Sequence, residues 1–224
     1  MLIGNFGRRS QGKTTLGVYS LDKLDRRAVL DPRGLIRRSG AIVLHSAARL
    51  SEAFDALAAG EVDEIVYSPT ENHRQAFERF ALELKRWVIE YPDLAIAVLI
   101  DEASFYEVLD PRATPNQRAT FMYVLKSCDV DGFNLVITCH RPSDLAPDIR
   151  GLMNRWCLFR TTQEHDLQVI RERCTAVVCE TVTTLNDREF VAWNDDDASA
   201  EVNRAPFVWY SDLAPKGATY LELR

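Results

Sequence analysis

Gly7-Arg8-Arg9-Ser10-Gln11-Gly12-Lys13-Thr14, directly after the apolar run Met1-Leu2-Ile3, decides the reading of this chain. It fits G-x-x-x-x-G-K-[ST] in full, the loop that wraps the phosphates of a nucleoside triphosphate. Gly7 and Gly12 let the backbone fold back so that its N–H groups point inward as a nest for anionic oxygens. Arg8, Arg9, Ser10 and Gln11 supply the intervening amides, and Thr15 continues the contact surface behind them. Lys13 can reach the β- and γ-phosphates, and the Thr14 hydroxyl can ligate Mg²⁺. Residues 14–23 then read as a helix whose positive N-terminus faces the same anion.

Outward from this loop, strands and helices alternate. Strands are expected at 1–6, 27–31, 41–45, 64–68, 94–100, 135–138 and 156–160. Helices are expected at 14–23, 51–59 (opened by Ser51), 73–90, 117–127 and 164–173. This order predicts an α/β fold, a P-loop NTPase with a mostly parallel central sheet and helices on both faces. From Ala176 the pattern changes: 177–184 and 189–193 flank Asn186-Asp187 and read as a β-hairpin extension. Residues 1–224 are expected to form one ATPase domain, with a core over about 1–175 and the extension over 176–224. The aromatics Phe207, Trp209 and Tyr210 near the end are expected to pack on the core.

The apolar run Leu94-Ala95-Ile96-Ala97-Val98-Leu99-Ile100 ends in Asp101-Glu102. At the tip of a central strand beside the phosphate loop, Asp101 would hold Mg²⁺ with Thr14, and Glu102 would polarise the attacking water. Paired carboxylates at a buried strand end cost desolvation unless a cation compensates. A nucleotide switch needs the Asp but not the adjacent Glu, so the pair favours repeated hydrolysis. Leu135-Val136-Ile137-Thr138-Cys139-His140-Arg141-Pro142-Ser143-Asp144 is a second strand leading to polar residues, with Ser143 and Asp144 expected as a helix cap. His140 is the candidate sensor of the γ-phosphate.

The net charge of −6 does not itself suggest a nucleic-acid partner. Its distribution is lopsided: residues 1–50 hold ten Lys and Arg against three acids. Dense arginines around 33–38 would suit a phosphate-backbone track, or equally a solvated face with arginines at subunit contacts. Five cysteines without a C-x-x-C pair fit reduced thiols. The longest apolar run is too short to span a bilayer, so a cytoplasmic protein without membrane insertion is expected.

Four segments together resemble the FtsK–HerA superfamily of DNA-pumping P-loop ATPases: the loop at 7–14, Val29-Leu30-Asp31-Pro32-Arg33-Gly34, Ile100-Asp101-Glu102-Ala103, and residues 138–145. Members show a "DPKG"-like turn at the second and "TQRP" at the fourth; here His140 stands where Gln is usual. A compact chain of this type is similar to the genome-packaging ATPases of tailless, membrane-containing viruses. The resemblance implies ATP and Mg²⁺ as ligands and a ring of identical subunits, by expectation a hexamer. It implies double-stranded DNA gripped without reading sequence, with capsid or portal-vertex proteins as further candidate partners. In a viral setting the location would be the host cytoplasm or the virion vertex. An arginine from a neighbouring subunit would complete the site. Arg118, Arg141, Arg150 and Arg155 are eligible, with Arg150 and Arg155 preferred. Alternatives are a conjugation, phage-export or DNA-repair ATPase of the same superfamily, a P-loop small-molecule kinase, or a module in which nucleotide only gates assembly.

Overall fold

Ile96, Val98 and Ile100 point into one apolar cluster while Ala97 and Leu99 point into another, so the central strand is buried on both faces. That is why its sequence runs apolar without alternation. In the computed structural model, which describes residues 1–70, 72–129, 132–205 and 221–223, this strand is the middle of a ten-stranded sheet.

The chain opens with β1 (Leu2–Phe6), α1 (Lys13–Leu21), β2 (Arg27–Leu30) and β3 (Ile42–Leu44). It continues with α2 (Leu50–Ala59), β4 (Glu64–Tyr67), α3 (His73–Glu90) and β5 (Ile96–Ile100). After 3₁₀ turns come α4 (Ala119–Lys126), β6 (Phe133–Cys139), α5 (Pro147–Gly151), β7 (Arg155–Phe159) and α6 (Glu164–Arg173). Then follow α7 (Ala176–Thr184), β8 (Glu189–Asn194), β9 (Ser199–Arg204) and β10 (Leu221–Leu223).

The sheet order is β10-β3-β4-β2-β5-β6-β1-β7-β8-β9. Strands from β10 to β7 are parallel, and β8 and β9 add antiparallel to the far side. The α/β, mostly parallel expectation holds. The two faces are covered unequally. Among the helices of the described residues, α1 alone contributes to one face, through Leu16, Val18 and Leu21, whereas α2 to α7 cover the other.

Three local expectations are corrected. Residues 176–184 form a helix, not the first arm of a hairpin, although they are rich in Val and Thr. Thr175 caps it, its hydroxyl accepting from the N–H of Val178, and Val178, Cys179 and Val182 bury a helical face. Tertiary burial thus outweighs β-propensity. The hairpin is instead β8–β9, paired from Glu189↔Arg204 to Asn194↔Ser199. Ser51 lies inside α2; Ser46 caps the 3₁₀ turn before it, accepting from the N–H of Ala48. Ser143 is not a helix cap: its hydroxyl donates to the Asp166 carboxylate at 2.7 Å. Phe207, Trp209 and Tyr210 lie outside the described residues.

Candidate active site

Register brings the site together. In the parallel ladders, Ile100 pairs with both Leu30 and Ile137, and Phe6 pairs with Cys139. The next residues of β2, β5 and β6 therefore emerge at one sheet edge as Asp31, Asp101 and Thr138, with His140 beside the departing Gly7. This is the carboxyl end of the strands, where open α/β sheets bind ligands.

The loop closes on itself. Gly7 donates its N–H to the carbonyl of Cys139 at 3.3 Å, and Arg8 donates its own to Gln11 Oε1 at 2.7 Å. Ser10 adopts φ 63°, and the Arg8 guanidinium bonds the Thr162 hydroxyl. Gly12 sits at φ 98°, a conformation a side chain would strain, and it leads straight into α1. Lys13 Nζ donates to the carbonyl of Arg8 at 2.7 Å and lies 3.5 Å from His140 Nδ1. Burial pulls the Lys13 ammonium below the usual lysine range, against the opposing pull of Glu102 and Asp101. Thr15 is buried one residue further along α1.

Across the cleft, the Thr14 hydroxyl donates to Asp101 Oδ1 at 2.9 Å. Thr138, which sequence reading did not assign a role, donates its hydroxyl to the same carboxylate oxygen at 2.6 Å and accepts from the N–H of Glu102 at 2.9 Å. Asp101 is 2% exposed, and burial pushes its pKa up to about 6. A carboxylate sealed at such cost between two hydroxyls is the oxygen donor set that a hard divalent cation takes. Among the described residues no cluster of three or more His, Cys, Asp and Glu could hold a metal. A cation here would have to share its shell with substrate phosphates and water.

Glu102 follows at φ 50°, ψ 56°, a left-handed conformation uncommon for a non-glycine residue. Its two oxygens meet different neighbours, Oε2 lying 2.8 Å from His140 Nε2 and Oε1 3.2 Å from Arg33 Nη1. Burial opposes its charge, but His140, Lys13 and Arg33 outweigh that and hold it below the ordinary glutamate range. Beside the loop lies a cavity of about 230 Å³ lined by Arg8, Arg9, His140, Arg141, Thr161, Gln163 and Asp166.

The basic stretch near 33–38 is not an open track. Arg33 turns to Glu102, Arg37 donates to the carbonyl of Ile36 and the hydroxyl of Ser68, and Arg38 pairs with Asp22 and Glu64. Five acceptor groups inside the chain, three of them carboxylates, engage these guanidinium groups. Arg118 is likewise internal: it is 6% exposed, pairs with Asp148 at 2.8 Å, and donates to the carbonyls of Asp110 and Ala113. Arg150 and Arg155 are not brought to the phosphate loop of the same chain. Arg155 opens β7 opposite Ile3, at the other end of the sheet, and Arg150 closes the helix that leads there.

The same architecture recurs in solved structures. The genome packaging NTPase B204 from Sulfolobus turreted icosahedral virus 2, in complex with AMPPCP, matches with TM-score 0.70 at 17% identity, over 92% of this chain and 98% of that one. VirB4 of Thermoanaerobacter pseudethanolicus matches with TM-score 0.65 at 10% identity, over 94% of this chain and 90% of that one. The fold is that of a P-loop NTPase. EssC (ATPases 2 and 3) from Geobacillus thermodenitrificans shares the P-loop ATPase fold with TM-score 0.52 at 13% identity, over 96% of this chain and 42% of that one. No protein-family model and no curated protein matches the sequence. Among the described residues no helix is long and apolar enough to cross a membrane.

Proposed function

We propose that this chain is an Mg²⁺-dependent ATPase motor that moves double-stranded DNA, packaging a viral genome into a preformed capsid. The observation that carries the chemistry is the Thr14–Asp101 contact at 2.9 Å, with Lys13 and Glu102 on either side. The near full-length likeness to a genome packaging NTPase supports the motor reading. The likeness to VirB4 supports the alternative of a conjugation or export ATPase built on the same engine. Residues 1–224 are read as one ATPase domain, with β8 and β9 continuing the core sheet.

In this reading the amides of residues 7–12 and the ammonium of Lys13 grip the triphosphate, Lys13 leaving the Arg8 carbonyl for the β- and γ-phosphate oxygens. Thr14 and Asp101 would hold Mg²⁺, which neutralises phosphate charge as the bond breaks. Glu102 aims a water at the γ-phosphorus. The water oxygen bonds to phosphorus, the bond to the β,γ-bridging oxygen breaks with its electron pair leaving on ADP, and the water's proton passes to the Glu102 carboxylate. His140, 3.5 Å from Lys13 and 2.8 Å from Glu102, would sense whether the γ-phosphate is present.

Adjacent subunits of a ring would share each nucleotide, with Arg150 or Arg155 as the residue offered to a neighbour. An arginine supplied in this way is worth about 10³–10⁵ in rate, so isolated subunits should be nearly idle. DNA would be gripped by its phosphates without base reading, in the host cytoplasm or at a virion vertex. The test is phosphate release measured with and without duplex DNA, alongside mass in solution. DNA-stimulated release from an oligomer, lost in both Lys13→Ala and Glu102→Gln, is expected. Nucleotide binding without turnover, or turnover only with a small phosphate acceptor, would overturn the motor reading.

A further inference from the structure

Glu102 carries the hydrolytic step in the reading above, yet its own backbone does not fix its side chain. It stands at a strand tip in the left-handed region, a conformation that persists only where surrounding structure over-determines it. Part of that structure comes from a loop remote in sequence. After β2 the chain turns through Asp31-Pro32-Arg33-Gly34. The fully buried Asp31 carboxylate accepts from the N–H of Arg33 at 3.0 Å and from the N–H of Ile36 at 2.7 Å. Gly34, at φ 63°, supplies the reversal that a side chain would resist. Further along, Arg37 is tied to Ser68 and Arg38 to Asp22 and Glu64. The loop is fastened at both ends, and its unfastened product is one guanidinium reaching Glu102 Oε1 at 3.2 Å.

We propose that Arg33 is a positioning residue for hydrolysis, holding Oε1 of the Glu102 carboxylate while His140 meets Oε2, so that the carboxylate addresses the attacking water. The role rests on the ATPase reading and adds to it a residue from outside the phosphate loop, the acidic strand tip and the sensor strand. A purely structural role fits poorly. The Arg33 side chain is 37% exposed, and an ion pair that open contributes little to stability. What it does contribute is geometry, and small displacements of a catalytic group are costly: a shift of about 1 Å can cost about 10²-fold in rate.

The experiment compares wild type, Arg33→Ala, Arg33→Lys, Glu102→Gln and the Arg33→Ala/Glu102→Gln double variant. Each is measured for steady-state ATP hydrolysis with duplex DNA present, for affinity for a fluorescent ATP analogue, and for melting temperature. Arg33→Ala is expected to lower kcat about 10–100-fold, with analogue affinity and melting temperature near wild type. Arg33→Lys should recover part of the loss, because a cation at the same place restores one contact to Oε1. In the Glu102→Gln background, the Arg33 change should have no further effect on the residual rate. Unchanged or increased kcat in Arg33→Ala overturns the role, as does an equal loss in the Glu102→Gln background or a loss confined to analogue affinity. If Arg33→Ala is unstable, Arg33→Gln, which keeps much of the stem and removes the cation, decides in its place: a kcat equal to wild type at unchanged stability would count against the positioning role. Wild-type protein that binds the analogue but does not hydrolyse ATP would instead defeat the ATPase reading itself.

Discussion

The Thr138 hydroxyl joins the two acids of the site: it donates to Asp101 Oδ1 at 2.6 Å and accepts from the N–H of Glu102 at 2.9 Å. One fully buried residue therefore sets both the Asp101 carboxylate and the backbone from which the Glu102 side chain departs.

Replacing Thr138 by Val keeps shape and removes both bonds. The buried N–H of Glu102 is left without this partner, a loss that costs about 1–3 kcal/mol, while Asp101 Oδ1 keeps the Thr14 hydroxyl. Thr138→Val should lower the urea midpoint without changing its slope, and should lower ATP hydrolysis more than ATP-analogue binding. Thr138→Ser, which retains the hydroxyl, should restore most of both. Wild-type stability in Thr138→Val would show that the two contacts are not formed in solution.

Asp101 predicts an inverted pH response. Its carboxyl pKa is raised from 3.8 to about 6 in the folded chain, so between those values the native state binds more protons than the unfolded state. Stability contributed at this position is therefore greatest at acid pH and falls as pH rises through about 6. In metal-free protein, Asp101→Asn should remove that decline. At about pH 7.5 it should raise the melting temperature by roughly 2–4 °C, the change that ~1 kcal/mol produces in a domain of this size. The same variant should lose the extra stabilisation that Mg²⁺ and ATP analogue together give the wild type. Melting curves from about pH 5 to 8, with and without the pair, measure both effects.

Arg118 is predicted to matter for folding and not for a neighbour's nucleotide. Its guanidinium bonds Asp148 and the carbonyls of Asp110 and Ala113, joining the turns after β5 to α5. Arg118→Ala should destabilise the chain by about 2–3 kcal/mol. Activity per folded molecule, measured well below the melting transition, should stay near wild type. Mixing the variant with wild-type subunits should give no rate loss beyond its share of unfolded chains.

The phosphate loop and the Asp101-Glu102 pair were legible because each is a short contiguous stretch whose chemistry depends on spacing along the chain. The long helix His73–Glu90 was legible for a similar reason, since a strong period survives without tertiary information. Thr138 and Arg33 were not. A threonine at a strand end and an arginine in a basic loop acquire their roles only from ladder register, which sets Leu30 and Ile137 on either side of Ile100. For the arginines at 33–38, charge counting along the sequence missed buried acids such as Glu64, which lies 2% exposed between Arg27 and Arg38. The error at 176–184 came from weighing residue preference above the burial of Val178 and Val182.

Because α1 is, among the described residues, the single helix contributing to the apolar cluster on its side of the sheet, Lys13 and Thr14 ride on an element that cannot swing without baring Leu99 and Val136 to water. In the proposed motor, the near wall of the nucleotide cleft would thus be a stator. A stroke would then arise at the far wall, from the segments bearing Arg33, Glu102 and His140, which are carried on turns and can be re-aimed without opening the core.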